Sequence, residues 1–126
     1  MFKRFIVLLL FFFHTYCFAD WDQWSDTNKK LFVASELSVL ADWSTTRKAS
    51  LNWDACDCHE RNPLLGRYPS TDKIDLVEFT FLIANYYIAD SLTEKQRNWY
   101  LGAVTTVHGY AAANNYAIGL RFNFGF

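Results

Sequence analysis

The chain has no run of lysine or arginine and no excess of basic residues: twelve Lys and Arg stand against thirteen Asp and Glu, a formal charge of −1. A nucleic-acid partner would need a basic face and a polybasic membrane patch would need clustered positive charge, so composition speaks against both. Familiar catalytic spacings are lacking as well. No Gly-x-Ser-x-Gly elbow presents a serine nucleophile, and no His-Glu-x-x-His segment sets two imidazoles on one helix face around a metal. No internal repeat or low-complexity tract occurs. What the chain has in quantity is aromatic residues, 19% of the total, including Trp21, Trp24, Trp43, Trp53 and Trp99. Such side chains favour a water–lipid boundary and equally fill the core of a small domain.

The first nineteen residues read as a secretory signal peptide. Lys3 and Arg4 precede the apolar run Phe5 to Phe13, and Cys17-Phe18-Ala19 precedes Asp20. The cationic start holds the N-terminus on the cytoplasmic side, the apolar core is too short to span a bilayer comfortably, and the small residues before Asp20 suit signal peptidase. Cleavage after Ala19 is the expectation, with an uncleaved N-terminal anchor as the alternative. The expected destination is across the inner membrane, to the periplasm or to a membrane, the outer membrane included. Without Met1 to Ala19, 107 of the 126 residues remain, with ten basic residues against thirteen acidic ones. That length suits one domain over residues 20–126 with one core.

The remaining pattern predicts an all-α fold of about three helices in a small bundle, followed by an extended amphipathic tail. Ser25-Asp26-Thr27-Asn28 is a capping cluster ahead of a helix over about 27–49. Pro69-Ser70-Thr71-Asp72 punctuates the chain before a second helix, about 72–91. Thr93 to Gln96 reads as a capping box opening a third, about 94–115. Between the first two lies an irregular stretch from Ser50 to Ser70, long enough to suggest a functional connection. From Tyr116 the apolar residues Tyr116, Ile118, Leu120, Phe122, Phe124 and Phe126 alternate with smaller or polar ones, which is strand periodicity. This tail resembles the closing strand of outer-membrane barrels, which end on Phe. The rest of the chain departs from that pattern, because a barrel would require most of it to alternate.

Each predicted helix carries a polar stripe at three-four spacing: Ser35, Ser38, Asp42 and Thr45; then Asp75, Glu78 and Asn85; then Thr105, His108 and Asn115. Convergence of the stripes would bring Asp42, Glu78 and His108 together. Two carboxylates and an imidazole, with Glu60, form a candidate catalytic set able to hold a divalent metal or move protons. The alternative is a hydrogen-bonded network that fixes helix packing. Glu36, Asp42, Glu78 and Asp90 interrupt the apolar stretches, and a helix in lipid must turn such charges inward and pair them. Cys56-Asp57-Cys58-His59 offers a second constellation. In an oxidising compartment it reads as a disulfide across one residue, tight and easily reduced, or as a Cys56, Cys58, His59 ligand set for zinc or copper.

Asp42-Trp43-Ser44-Thr45-Thr46-Arg47, then Glu60-Arg61-Asn62-Pro63-Leu64-Leu65-Gly66 and Tyr68-Pro69-Ser70, resemble a group of small uncharacterised proteins of bacteria and their phages. These have a signal peptide, an Asp-x-x-x-Thr segment late in a first helix, a Glu-x-Asn-Pro loop and two further helices. The Cys-x-Cys here is not part of their pattern. The resemblance implies no known activity. It draws attention to Asp42, Thr46, Glu60, Asn62 and Pro63, for which local structural roles are the default. The expected function is that of a non-catalytic envelope or membrane-associated accessory protein whose partner is a membrane or envelope protein. The alternatives are a small metal-dependent hydrolase built on Asp42, Glu60, Glu78 and His108, and an outer-membrane protein.

Overall fold

The computed structural model describes residues 21–124; the expected signal segment, Met1 to Ala19, lies outside the described residues. A 3-10 turn, Trp21–Gln23, leads into α1, Asp26–Ser50. A short helix α2, Trp53–Cys56, follows, and then α3, Thr71–Ser91, and α4, Glu94–Ala117. Each long helix starts where a capping side chain relieves its free amides. Ser25 Oγ accepts from Asn28 N–H at 3.2 Å, Ser70 Oγ from Lys73 N–H at 3.3 Å, and Gln96 Oε1 from Thr93 N–H at 3.2 Å. The all-α bundle is therefore present, with helix ends within two residues of those expected.

The non-helical tail begins two residues later than expected. Tyr116 and Ala117 belong to α4, and no strand occurs among the described residues. The cause is Gly119, whose φ of +96° closes the helix. Gly119 N–H donates to Tyr116 O at 3.1 Å and Leu120 N–H to Asn115 O at 3.0 Å, the paired bonds of a Schellman ending. Leu120 is consequently buried, while Ile118, Phe122 and Phe124 stay exposed. The chain then runs back along α1, where Asn123 N–H donates to Ser44 Oγ at 2.6 Å. Leu40, Trp43, Ser44, Arg47, Asn123 and Phe124 line a cleft of about 50 Å³ there.

Side-chain pairs define the topology. Asn28 meets Asn98, Asp42 meets His108, and Thr45 meets Asn115, so α1 and α4 run parallel. Trp24 meets Asp90, Ser35 meets Asn85, and Arg47 meets Asp75, so α3 runs antiparallel to α1. The α1–α4 interface is the most extensive, and α3 touches α4 sparingly. Val39, Ile74 and Leu101 are fully buried at the helix contacts, where each stabilises the fold by about 1.5–3 kcal/mol. An aromatic cluster of Trp21, Trp24, Phe32 and Tyr86 closes the end of the bundle where α1 begins.

The linker between α1 and α3 is held by local bonds. Glu60 Oε1 accepts from Arg61 N–H at 2.8 Å and Asn62 N–H at 2.7 Å, and Asn62 Oδ1 accepts from Leu64 N–H at 3.0 Å. Pro63 follows Asn62 at the turn. Lys73 Nζ reaches back to Leu65 O at 2.6 Å, and Trp53 Nε1 donates to Pro69 O at 3.2 Å.

Candidate functional site

The polar stripes converge. Two-faced helices bury one side, and in α1 the buried side is Asn28, Ser35, Val39, Ser44, Thr45, Thr46 and Ala49. Val33 and Leu37 point outward. Across from this polar side, His108 Nδ1 lies 2.8 Å from Asp42 Oδ2. The carboxylate can only accept, so the proton of this bond sits on Nδ1. Asp42 Oδ1 also accepts from Thr46 Oγ1 at 3.4 Å, and Asn115 Nδ2 donates to Thr45 Oγ1 at 3.0 Å and to Thr46 Oγ1 at 3.3 Å. Phe81 of α3 packs against the imidazole, ring centres 5.2 Å apart.

Glu78 enters from α3. It is 5% exposed, and its Oε2 has no hydrogen-bond partner. Burial pushes its pKa up to about 7; the charges of Asp42 and Glu60 push the same way, and His108 opposes them. Burial works against a charged His108. The hydrogen bond to Asp42 and the charges of Asp42 and Glu78 together outweigh it, and the net shift is upward. Along the same interior seam, Asn85 Nδ2 donates to Ser35 Oγ at 3.0 Å and to Glu36 Oε1 at 2.6 Å. Burial raises the Glu36 pKa despite that bond. Asn85 Oδ1 and Tyr100 OH, both buried, have no partner among the described residues.

Of the four candidate catalytic residues, Asp42, Glu78 and His108 are thus brought together, and Glu60 acts on Glu78 through its charge from the linker. The metal chemistry expected of them lacks a donor set. Among the described residues, no group of three or more His, Cys, Asp or Glu side chains is arranged to hold a metal ion. Nor is Cys56, Cys58, His59 such a set, because Cys56 and Cys58 are joined in a disulfide and His59 is exposed. A carboxylate–imidazole pair can shuttle a proton, and for a hydroxyl nucleophile to be activated by it the hydroxyl must lie in hydrogen-bond reach of the imidazole. The neighbouring hydroxyls of Thr45 and Thr46 bond to α1 backbone, Asp42 and Asn115 instead. The cleft beside the tail contains none of Asp42, Glu78 or His108.

The structure adds a cluster that periodicity did not single out. Arg97 is buried; its Nε donates to Ala89 O at 2.7 Å, Nη1 to Asn28 Oδ1 at 3.0 Å, and Nη2 to Leu92 O at 2.8 Å and Asp90 O at 3.3 Å. The guanidinium lies over Trp24, 4.3 Å from the ring centre, and Trp24 Nε1 donates to Asp90 Oδ1 at 3.0 Å. Its one sequence signal is an arginine in the first turn of a helix after a two-residue loop, where it can turn back onto the free carbonyls ending the preceding helix. At the opposite end of α3, Asp75 accepts from Arg47 Nε at 2.9 Å and Trp43 Nε1 at 2.8 Å.

Against known proteins, no family model, curated protein or solved structure matches the chain.

Proposed function

We propose that this is a non-catalytic envelope or membrane-associated accessory protein of bacterial or phage origin, acting by contact with a membrane or envelope protein. One observation carries the reading: the bundle buries polar side chains beside its apolar contacts and turns many large apolar side chains outward. Asn28, Ser35, Thr45, Glu78 and Asn85 are buried, while Val33 and Leu37 on α1, Leu76, Phe79 and Ile88 on α3, and Trp99, Val107 and Tyr110 on α4 are exposed. Between Leu31 and Thr46 the charged residues are Glu36 and Asp42, bonded inward to Asn85 and His108. Between Leu76 and Ala89 there is Glu78, buried, and between Asn98 and Ala117 no Asp, Glu, Lys or Arg occurs. Apart from the half-buried Glu36, the outward surface of this zone is therefore free of these charges on all three long helices.

Water favours the opposite arrangement, since apolar area is stabilised by removal from it. Lipid or a membrane-embedded partner accepts an apolar exterior and requires charges to be turned inward and bonded. No described helix is long and apolar enough to cross a membrane. The association rests instead on the combined outer surface of the bundle, together with whatever the signal segment contributes. The experiment is fractionation of the full chain expressed in a bacterial host, with alkaline carbonate extraction. Retention in the pellet and release by mild detergent are expected; recovery in the aqueous supernatant would sink the proposal.

A further inference from the structure

We propose that Asp42, Glu78 and His108 form an interior proton-binding site whose occupancy fastens α3 to the α1–α4 pair. The site takes one residue from each long helix. Asp42 and His108 are already bonded across the parallel pair at 2.8 Å, so α3 brings the member that lacks a partner. The donors and acceptors there do not balance. Glu78 Oε2 is buried without a hydrogen-bond donor, and the charged groups facing it are Asp42 from α1, Glu60 from the linker and His108 from α4. Beyond Asn85 on the same seam lies a further carboxylate, Glu36. The charges of Asp42 and Glu60 both bear on Glu78 with one imidazole opposing them, and burial disfavours the added negative charge. A proton taken from water onto the Glu78 carboxylate removes that charge.

The mechanical consequence follows from how α3 is attached. Its direct packing on α4 is sparse; Asp75 and Asn85 bond it to α1, while at its C-terminal end Asp90 bonds Trp24, just before α1, and Arg97 of α4 holds the carbonyls of Ala89 and Asp90. Glu78 sits between the Asp75 and Asn85 attachments, where α3 faces the Asp42–His108 bond. When Glu78 loses its proton, the buried carboxylate regains water most directly by movement of α3 away from the pair, which breaks no α1–α4 bond. This inference is independent of what surrounds the bundle.

The test uses the full chain, carbon-13 labelled, in buffer or in the detergent micelle that keeps it dispersed. The Glu78 carboxyl resonance should titrate with a midpoint near 7, accompanied by a shift of the His108 ring signals. Hydrogen exchange of α3 amides, corrected for intrinsic base catalysis, should accelerate by about tenfold or more between about pH 6 and about pH 8.5, with α1 and α4 lagging. Glu78→Gln, which stays neutral, should remove that acceleration. A Glu78 midpoint in the ordinary carboxylate range overturns the proposal, as does equal acceleration in the Gln variant. Should the variant not fold, the wild-type titration and the contrast between α3 and α1–α4 exchange decide the matter by themselves.

Discussion

Arg97 and Glu78 are both buried charges in the same bundle, and they are treated in opposite ways. At the Arg97 end, donors meet acceptors: the guanidinium bonds three carbonyls and Asn28, and its face rests on Trp24. At the Glu78 level, an oxygen is left without a donor and the neighbouring charges are mostly of like sign. A buried charge is tolerated when geometry and extra hydrogen bonds replace the water it lost. By that criterion the Arg97 end is a structural clasp joining α1, α3 and α4. The Glu78 level is a place where the fold gives up stability, the usual mark of a site that changes state.

The comparison can be broken by substitution. Arg97→Ala leaves Asn28 and the carbonyls of Ala89, Asp90 and Leu92 without their donor, and should lower the unfolding free energy by about 3–4 kcal/mol in a denaturant titration. If the loss is under about 1 kcal/mol, the clasp is not structural. Glu78→Gln should do the reverse under alkaline conditions. A shift from 4.5 to about 7 corresponds to roughly 3 kcal/mol of destabilisation once the group is ionised in both states, part of which the neutral amide recovers. The variant should therefore gain about 2 kcal/mol over wild type near pH 8.5 and about nothing near pH 4.

The same linkage sets the pH dependence of the wild-type protein. Glu78 and Glu36 have folded-state pKa values raised above the unfolded 4.5, and His108 is raised above 6.5. For each, the folded chain holds its proton to higher pH than the unfolded chain does. Stability should fall as pH rises from about 4.5 through the folded values, so thermal unfolding should occur at lower temperature at pH 8 than at pH 5.5. Asn28→Ala, which unpairs Arg97 Nη1 and Asn98, should cost about 1–2 kcal/mol and little more when combined with Arg97→Ala. The smallest effect belongs to the linker. Replacing Cys56 and Cys58 together by serine opens a very short loop, should cost about 1 kcal/mol or less, and should leave the Glu78 titration unchanged.

Much of this was legible in the residues. Helix starts were signalled by Ser25, Ser70 and the Thr93–Gln96 pair, because capping is chemistry between neighbours in sequence. The convergence of Asp42, Glu78 and His108 followed from their common phase on three helices. The alternation of Tyr116 to Phe126 started the tail two residues early, because the pattern hid Gly119, whose left-handed backbone closes the helix there. Periodicity records side-chain polarity and carries no information about the sign of φ. Arg97 was missed for a different reason: its partners are mainly backbone carbonyls, which every residue has. The disulfide and the metal set were alternative readings of one Cys-x-Cys, since composition alone does not say whether two thiols meet each other or an ion.

The parallel pairing of α1 with α4 has a consequence for how the chain assembles. Its bonds join residues 66 to 70 positions apart, as in Asp42–His108 and Asn28–Asn98, whereas α3 and α4 are separated by two residues. Loop-closure entropy delays distant contacts relative to local ones, so the bonds of Arg97 to the carbonyls ending α3 should form early and α1 should join last. For a chain emerging N-terminus first, α1 is the first long helix to emerge and the last to find its place. Until α4 arrives, the Ser35, Asp42 and Thr45 side has no protein to bond and must be kept in water.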